Sequence, residues 1–427
     1  MERYNPWWFG EPDPHIQEWS ENEVRWVPDE LELLSLKPFS LNFLLGPRQV
    51  GKTTGIKLLI QKLLKETDPK AVFYFSCDEV SDYKELGEML DSYLSAKREW
   101  GVKRSYIFLD EAGFVDEWWR SVKARIDAGM FRNDVITVSG SMSIELLSQA
   151  ELFPGRRGEG TDVLMMPLSF SKFSEVMGKA APIRATSLNG VLKMMEANRH
   201  LISRLRRLFG AYLRTGGFPI SILEYAKTGA VRKSVSDYLN WLKADWWRVR
   251  RSDSYMKEVI SYIISARLSP ISWYSLAQAT SIGSPHTAEA YVETLENLLV
   301  AKRLNLISPE GRVIYRKNKK VHFTDPLIYT AFSEFSRTEL VEEQVVESVV
   351  ASHLARMFEV YYWRNGTEVD MIALVEGRQI GFEVKWGKRG WRKPRHLKEA
   401  YLLDRDKVIL FLASLDVLRG SEVRAGI

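Results

Sequence analysis

GPRQVGKTT, residues 46–54, fits the pattern G-x-x-x-x-G-K-[ST] at every fixed position. In this pattern the glycines let backbone N–H groups turn toward a bound phosphate, and the lysine reaches the outer phosphates. A short apolar run, residues 41–46, precedes the loop, and apolar residues at helical spacing follow it. A strand, a glycine-rich loop and a helix N-terminus in this order predict a site for the phosphates of a nucleotide.

We expect the whole loop to contact the nucleotide. The predicted nucleotide-binding residues are Gly46, Pro47, Arg48, Gln49, Val50, Gly51, Lys52, Thr53 and Thr54. Thr53 is also a predicted Mg²⁺ ligand, because the hydroxyl at this position can coordinate the metal. The alternative is a loop that keeps its fold and has lost nucleotide binding.

The composition indicates a globular protein of several domains. With 427 residues, 45% hydrophobic and 27% charged, the chain is too long for one ordinary core and too apolar for a disordered protein. Cys77 is the single cysteine, which excludes an intrachain disulfide and favours a reducing compartment. No apolar run reaches the roughly 18 residues that span a bilayer. We therefore expect a cytoplasmic protein without a membrane partner, and the net charge of +5 permits contact with nucleic acid.

Strands and helices alternate in the first part of the chain, which predicts a parallel, doubly wound sheet. Strands are predicted at 41–46, 71–77, 105–113, 134–142 and 161–170, with helices at 82–100 and 118–128. Residues 171–251 favour helices only. Residues 255–321 have the layout of a winged helix, with helices at 255–266, 272–280 and 287–301 and a hairpin at 304–317. The last segment, 339–427, predicts the order helix, strand, strand, helix, strand.

A second motif in the first domain supports the phosphate site. IFLDE, residues 107–111, is an apolar strand that ends in two acids. Asp110 is predicted to hold Mg²⁺, and Glu111 to position and polarise the attacking water. An acid that caps a helix would give the same local pattern. The metal site is favoured because the motif follows the phosphate loop about sixty residues later in the sequence, one helix–strand unit further on.

Two further segments contribute candidate catalytic residues. SGS, residues 139–141, ends the next strand, where Ser139 or Ser141 would sense the outermost phosphate; Ser141 is the predicted catalytic residue, and a plain turn residue is the alternative. FPGRRGEG, residues 153–160, places Arg156 and Arg157 on a glycine-flanked loop. An arginine on such a loop can act in trans on the nucleotide of a neighbouring copy, which would require a homo-oligomer. A solvated loop without this role is equally compatible with the sequence.

A second candidate site lies near the C-terminus, in GTEVDMIALVEGRQIGFEVKWG, residues 366–387. Two predicted strands flank a Glu-Gly-Arg turn, with Asp370 on the first and Glu383 and Lys385 on one face of the second. The preceding helix offers Glu347. Two carboxylates and a lysine can hold a divalent metal and activate water. The next region, residues 387–400, is dense in Lys and Arg and is predicted to be helical and to follow a phosphate backbone.

The middle segment gives a mixed signal for nucleic acid. The third predicted helix carries Glu289, Glu293 and Glu296, which repel phosphate. The hairpin after it carries cations that could contact a phosphate backbone: Arg312, Arg316, Lys317, Lys319 and Lys320. Docking of a protein partner is the alternative use of this domain.

The motifs GPRQVGKTT, FLDE, SGS, FPGRRG, LSFSKF and GGFP occur in this order. The series resembles archaeal and bacterial AAA-type P-loop ATPases that carry a C-terminal PD-(D/E)xK restriction-nuclease-like domain of unknown function, over nearly the whole chain. The resemblance implies ATP and Mg²⁺ as cofactors and a winged-helix middle domain. In that family the PGR loop lies near the nucleotide, which favours Arg156. Val369 stands where the nuclease motif has proline.

The predicted fold class is α/β: a P-loop NTPase parallel sheet of the AAA type, followed by a helical lid, a winged helix and a small α/β nuclease-like domain. The predicted boundaries are 1–37 for a loop-rich N-terminal arm, 38–178 for the ATPase core, 179–254 for the lid, 255–337 for the winged helix and 338–427 for the nuclease-like domain. The predicted function is an ATPase that acts on or binds DNA. The alternative is a nucleotide-dependent switch whose winged-helix and inert nuclease-like domains dock protein partners.

Overall fold

The computed structural model describes residues 1–141, 152–387 and 390–418. The chain forms two compact units, one containing Met1–Met166 and the other Pro167–Gly420. The first unit contains the phosphate loop, and the second contains the paired strands of the second candidate site.

A five-stranded parallel sheet forms the centre of the first unit. Its strands are β1 (Ser40–Leu45), β2 (Val72–Ser76), β3 (Tyr106–Asp110), β4 (Val135–Gly140) and β5 (Asp162–Leu164). Their order across the sheet is β2-β3-β4-β1-β5, with parallel pairing throughout. The predicted strands are confirmed, although the fifth ends at Leu164 and is much shorter than predicted; a helix begins at Phe170.

Helices cover both faces of this sheet. They are α1 (Pro14–Glu21), α2 (Lys52–Leu63), α3 (Tyr83–Glu99) and α4 (Trp118–Asp127), with 3-10 helices at Glu2–Tyr4, Pro6–Phe9, Asp29–Leu33, Pro69–Ala71, Cys77–Glu79 and Ala112–Phe114. Side chains along β1 alternate between two cores: Phe43 and Leu45 pack with Trp118, while Leu44 packs with Ile56 of α2. This alternation follows from the pleat of the strand. The phosphate loop begins directly after β1, at the C-terminal edge of the sheet, where parallel sheets commonly bind ligands.

The N-terminal arm is more ordered than the sequence predicted. Asn5 makes two hydrogen bonds with the backbone of Tyr74, of 3.0 and 2.7 Å, and Trp7 and Trp8 donate to the carbonyl of Val72 at 3.0 and 2.9 Å. Because β2 is an edge strand of the sheet, these side chains satisfy backbone groups that would otherwise remain open.

Helices occur throughout the second unit. They are α5 (Phe170–Gly178), α6 (Leu188–Ala197), α7 (Ile202–Thr215), α8 (Pro219–Thr228), α9 (Arg232–Arg248), α10 (Asp253–Ser265), α11 (Trp273–Gln278), α12 (Pro285–Asn297), α13 (Pro326–Ser336), α14 (Glu342–Ala355) and α15 (Arg405–Ser414), with a 3-10 helix at Asn198–Leu201. The three helices α10 to α12 lie where the winged-helix prediction placed them.

The strands of the second unit form two sheets. They are β6 (Ala301–Leu304), β7 (Leu306–Ile307), β8 (Val313–Ile314), β9 (Lys320–Phe323), β10 (Glu359–Asn365), β11 (Thr367–Val375), β12 (Arg378–Lys385) and β13 (Glu399–Asp404). β6 pairs with β9, and the other six form a sheet in the order β13-β12-β11-β10-β7-β8. The single predicted hairpin is therefore two nested pairs, of which β7 also joins β10 through Leu306 and Tyr362.

Two predictions for the C-terminal segment are wrong. The order after α14 is four strands and a helix rather than strand, strand, helix, strand. The basic segment predicted as a helix contains no helix in its described residues, 390–398, and β13 follows it directly. Pro394 lies in the middle of this segment and has no N–H to donate, which opposes a continuous helix.

Helix α14 is fixed within the second unit by a buried histidine. His353 Nε2 accepts the backbone N–H of Phe170 at 3.1 Å, while Nδ1 lies 2.8 Å from the carbonyl of Val349. The two contacts together select the neutral ring with the proton on Nδ1. Burial, aided by the nearby Arg356, lowers the pKa of His353 to about 3.

This histidine predicts acid sensitivity of the second unit. The folded-state pKa lies below the ordinary value, so the stabilising contribution is complete above about pH 6.5 and is lost as the pH falls toward 3, by up to about 1.4 kcal/mol per pH unit. The urea midpoint of the wild type, followed by tryptophan fluorescence, should therefore fall more between pH 7.5 and 5 than that of His353→Gln. His286→Gln, at an exposed position, is the matched control and should behave like the wild type. Equal pH dependence of wild type and His353→Gln would contradict this account.

Candidate functional site

The phosphate loop connects β1 to α2 through residues whose backbone requires glycine. Gly51 has φ of 97° at the N-terminus of α2, in the left-handed region. A Cβ atom at Gly46 would lie 2.1 Å from the carbonyl oxygen of Met165. Lys52 is buried, and its Nζ donates to the carbonyls of Gly46 and Pro47 at 2.9 and 3.1 Å. The ammonium group therefore lies inside the curve of the loop.

Asp110 joins three elements at the C-terminal edge of the sheet. Its carboxylate is buried, and Oδ2 accepts the hydroxyls of Thr53 at 2.6 Å and Tyr74 at 2.9 Å. Oδ1 accepts the hydroxyl of Ser139. The structure thus brings the predicted metal ligands Thr53 and Asp110 into direct contact. Burial and the neighbouring Asp110 raise the pKa of Tyr74 far above its ordinary value, so the phenol stays a donor.

Glu111 adopts an unusual backbone conformation beside this carboxylate. Its φ is 55°, a left-handed value that residues other than glycine seldom adopt, and its N–H donates to Ser139 Oγ at 3.0 Å. Its side chain accepts the hydroxyl of Ser141 at 3.2 Å, and Oε1 lies 3.9 Å from Lys52 Nζ. The two serines therefore differ in place: buried Ser139 fixes the two acids, while Ser141 contacts the carboxylate that faces the loop lysine.

The two arginines of the glycine-flanked loop have different partners. Arg157 forms a two-pronged ion pair with Asp162 of β5, one contact of which measures 2.8 Å. Arg156 Nε contacts Asp127 Oδ1 at 2.5 Å and Nη1 donates to the carbonyl of Pro154 at 3.2 Å. Among the described residues these contacts do not bring Arg156 to the phosphate loop of its own chain. A catalytic role for Arg156 stays a prediction.

Sequence reasoning missed three residues that lie at or beside this site. His15 Nε2 is 2.8 Å from Thr54 Oγ1, and Asp13 pairs with Lys57 of α2 at 2.8 Å, so the start of α1 lies against the phosphate-loop helix. Tyr74 contacts Asp110 across the sheet. A hydroxyl on an otherwise apolar strand was a signal for Tyr74, whereas nothing in the sequence pattern linked His15 to a loop about forty residues later.

The second candidate site forms between β11, β12 and α14. Asp370 Oδ2 accepts the N–H of Val384 at 2.9 Å, and Glu383 Oε2 accepts the N–H of Asp370 at 3.2 Å. Lys385 Nζ contacts Glu383 Oε1, which confirms that these two side chains share one face. Glu347 of α14 and Asp370 line the same cavity of about 240 Å³. All four predicted residues are therefore brought together.

A lysine from the middle segment completes this cluster. Lys320 of β9 lies 2.7 Å from Glu368 Oε1, 3.1 Å from Glu347 Oε1 and 3.4 Å from Asp370 Oδ1. Its side chain is 1% exposed. The prediction that Lys320 faces a phosphate backbone is wrong, because the strand pairing of β9 turns it into the interior. The prediction is also wrong for Lys319, which is buried and donates to the carbonyl of Tyr315.

Burial shapes the charge of the acidic cluster. It raises the pKa of Glu383 above its ordinary value, and the neighbouring Asp370 adds to the effect. It also raises the pKa of Glu347, against the opposing influence of Lys320. Burial alone would lower the pKa of Lys320, but its carboxylate neighbours raise it well above the ordinary value, so this lysine is charged at neutral pH.

Three family models match successive parts of the chain. Residues 39–174 match an AAA domain, residues 206–339 match a domain of unknown function (DUF8612), and residues 337–424 match a domain of unknown function (DUF4143). The predicted P-loop fold of the AAA type is thereby confirmed for this part of the chain. The two other matches carry no functional description, so the winged-helix and nuclease-like interpretations stay predictions.

The chain also has distant similarity to solved structures. The Orc1 protein of Aeropyrum pernix in complex with DNA is 14% identical, with a TM-score of 0.31 over 69% of this chain and 86% of that chain. Cdc6p from Pyrobaculum aerophilum is 13% identical, with a TM-score of 0.27 over 79% and 94%. AMPPCP-bound DnaA from Aquifex aeolicus is 13% identical, with a TM-score of 0.25 over 63% and 85%. At such low TM-scores these similarities say nothing about function.

The curated proteins contain no match to this chain. In the part of the chain that the structure describes, no helix combines the length and the apolar character needed to cross a membrane.

The loop geometry predicts that Lys52 is essential for nucleotide affinity. Lys52→Ala removes the ammonium group that the loop encloses, and the loss of one charge-assisted contact should weaken ATP binding on the order of tenfold or more. Titration with a fluorescent ATP analogue measures the change. Lys62→Ala, at an exposed position of the same helix, is the control and should bind as the wild type does. Unchanged affinity in a folded Lys52→Ala variant would show that the loop does not bind phosphate.

Proposed function

We propose that this chain is a Mg²⁺-dependent ATPase of the AAA type. The observation that carries the proposal is the 2.6 Å hydrogen bond between Thr53 Oγ1 of the phosphate loop and Asp110 Oδ2 at the end of β3. It places a hydroxyl and a carboxylate side by side at the start of the phosphate-loop helix. The match of residues 39–174 to an AAA domain supports the same function.

The residues at this edge fit a magnesium ion. Hydroxyl and carboxylate oxygens are the ligands that Mg²⁺ prefers, and the ion commonly takes only one or two from the protein, with water and phosphate supplying the rest. When bound, the ion would neutralise charge on the phosphates. Thr53 and Asp110 are the residues that would hold it.

Glu111 is the residue proposed to activate water. Its carboxylate lies beside Lys52, the residue that would contact the outer phosphates, at 3.9 Å. Ser141 donates a hydrogen bond to the carboxylate and would hold it in orientation. The backbone of Glu111 is fixed by Ser139, so the acid has a defined position relative to Asp110. Catalysis of phosphoryl transfer depends mainly on such positioning and on charge stabilisation.

Arg156 is proposed to act on a neighbouring copy of the chain. It lies on a loop near Phe153, whose ring is buried in the core, and its side chain is 33% exposed. A fixed, partly exposed arginine with an exposed partner, Asp127 at 47%, can exchange that partner for a phosphate. This role requires a homo-oligomer.

Association with DNA is a second proposal, and the exposed basic segment before β13 favours it. Arg392, Lys393 and Arg395 are exposed there, and Trp391 is half-buried beside them. Such clustered cations match the charge of a phosphate backbone. The alternative is a nucleotide-dependent switch in which the second unit docks a protein partner, and the absence of DNA binding would favour it.

Glu111→Gln tests the ATPase directly. The amide keeps the size of the side chain and cannot accept a proton, so steady-state hydrolysis of ATP should fall by about 100-fold or more while ATP binding remains. Release of phosphate measures the rate, and a fluorescent ATP analogue measures binding. Glu99→Gln, an exposed acid at the end of α3, is the matched control and should retain the wild-type rate. Hydrolysis that survives Glu111→Gln would contradict the assignment.

The DNA proposal predicts a salt-dependent interaction. Each phosphate contact that is lost reduces the slope of log affinity against log salt by about 0.9. Arg392→Ala/Lys393→Ala should therefore weaken binding of a labelled DNA duplex and flatten this slope by about one to two. Lys193→Ala/Arg232→Ala removes the same charge at exposed positions elsewhere in the second unit and is the control. If both double variants weaken binding equally, the basic segment has no special role.

A further inference from the structure

The acidic cluster of the second unit already contains a cation. The ammonium nitrogen of Lys320 lies within 3.4 Å of oxygens from three carboxylates, those of Glu347, Glu368 and Asp370. An ammonium group has three hydrogens to donate, so each has one acceptor. Two of these acids, Glu347 and Asp370, belong to the predicted metal site.

We propose that Lys320 is a built-in replacement for the metal, so that the site formed by Glu347, Glu368 and Asp370 takes no divalent ion and the domain is not a metal-dependent nuclease. Both cations would compete for the same oxygens. A divalent ion bound about 3 Å from an ammonium group would also be strongly repelled, because charge interactions are weakly screened in the protein interior.

The carboxylates of Asp370 and Glu383 also have partners within the protein. Asp370 Oδ2 accepts the N–H of Val384 at 2.9 Å, while its Oδ1 faces Lys320. Glu383 accepts the N–H of Asp370 through Oε2 and contacts Lys385 through Oε1. A metal bound to Asp370 or Glu383 would have to share or displace these contacts, and at Asp370 it would also meet the ammonium group of Lys320.

Lys320 is held in place by its strand. It pairs with Leu304 in the β6–β9 ladder, and His322, two residues further on the same face, contacts Ser348 of α14 at 3.0 Å. Its Nζ is thus fixed from one side by a strand and from the other by the helix that carries Glu347. The lysine cannot leave the cluster as an exposed lysine could, because its side chain is 1% exposed.

The predicted consequence is that removal of Lys320 creates a metal site. Mn²⁺ binding to the nucleotide-free full-length chain is measured by electron paramagnetic resonance for the wild type, Lys320→Gln, Lys320→Arg and Lys320→Gln/Asp370→Asn. Lys320→Gln should bind one Mn²⁺ more than the wild type, with at least tenfold higher affinity than any wild-type site. Lys320→Arg keeps the positive charge and should bind no additional ion, and Asp370→Asn should abolish the gain.

Equal Mn²⁺ binding by the wild type and Lys320→Gln would overturn the proposal. Should Lys320→Gln fail to fold, the comparison of the wild type with Asp370→Asn decides. The proposal predicts equal Mn²⁺ binding by these two proteins and no cleavage of plasmid DNA by the wild type with Mg²⁺ or Mn²⁺. Wild-type Mn²⁺ binding or plasmid cleavage that is lost in Asp370→Asn would overturn it. Because no nucleotide is present and the phosphate loop is unchanged, these outcomes do not depend on the ATPase proposal.

Discussion

The buried carboxylate of Asp110 is the interaction on which the nucleotide site depends. It accepts hydroxyls from Thr53, Tyr74 and Ser139, which lie on the phosphate-loop helix and on two strands that flank β3. A buried carboxylate without these donors would be strongly destabilising. The loop, the sheet edge and the adjacent Glu111 are therefore fixed relative to one another by one side chain, and the same oxygens are the ones that would face a magnesium ion.

The two acidic sites of the chain show how the surroundings decide what a carboxylate can do. Around Asp110 three neutral hydroxyls donate hydrogen bonds to the carboxylate. Around Asp370 an ammonium group already occupies the centre, at 3.4 Å. The two sites look similar in sequence, because each has acids on an apolar strand. We nevertheless expect metal to bind at Asp110 and not at Asp370.

The sequence predicted the first unit well because its signals are local. The glycines of the phosphate loop, the apolar strand before Asp110 and the helical spacing after Lys52 each depend on a few neighbouring residues. The contacts that the prediction missed are long-range. His15 meets Thr54, and Lys320 meets Asp370 across fifty positions, only through the packing of distant elements. Composition also misled: a segment rich in Lys and Arg favours a helix, but Pro394 opposes one.

The AAA match and the geometry of Thr53, Asp110 and Glu111 support an ATPase, while in the second unit Lys320 lies among the acids of the proposed metal-free site. A crystal structure of the full chain with a non-hydrolysable ATP analogue and Mn²⁺, with anomalous scattering to locate manganese, tests both statements in one experiment. The account predicts an anomalous peak beside Thr53 Oγ1 and Asp110 and none among Glu347, Glu368 and Asp370. A peak in the second cluster, or none beside Thr53, would contradict it.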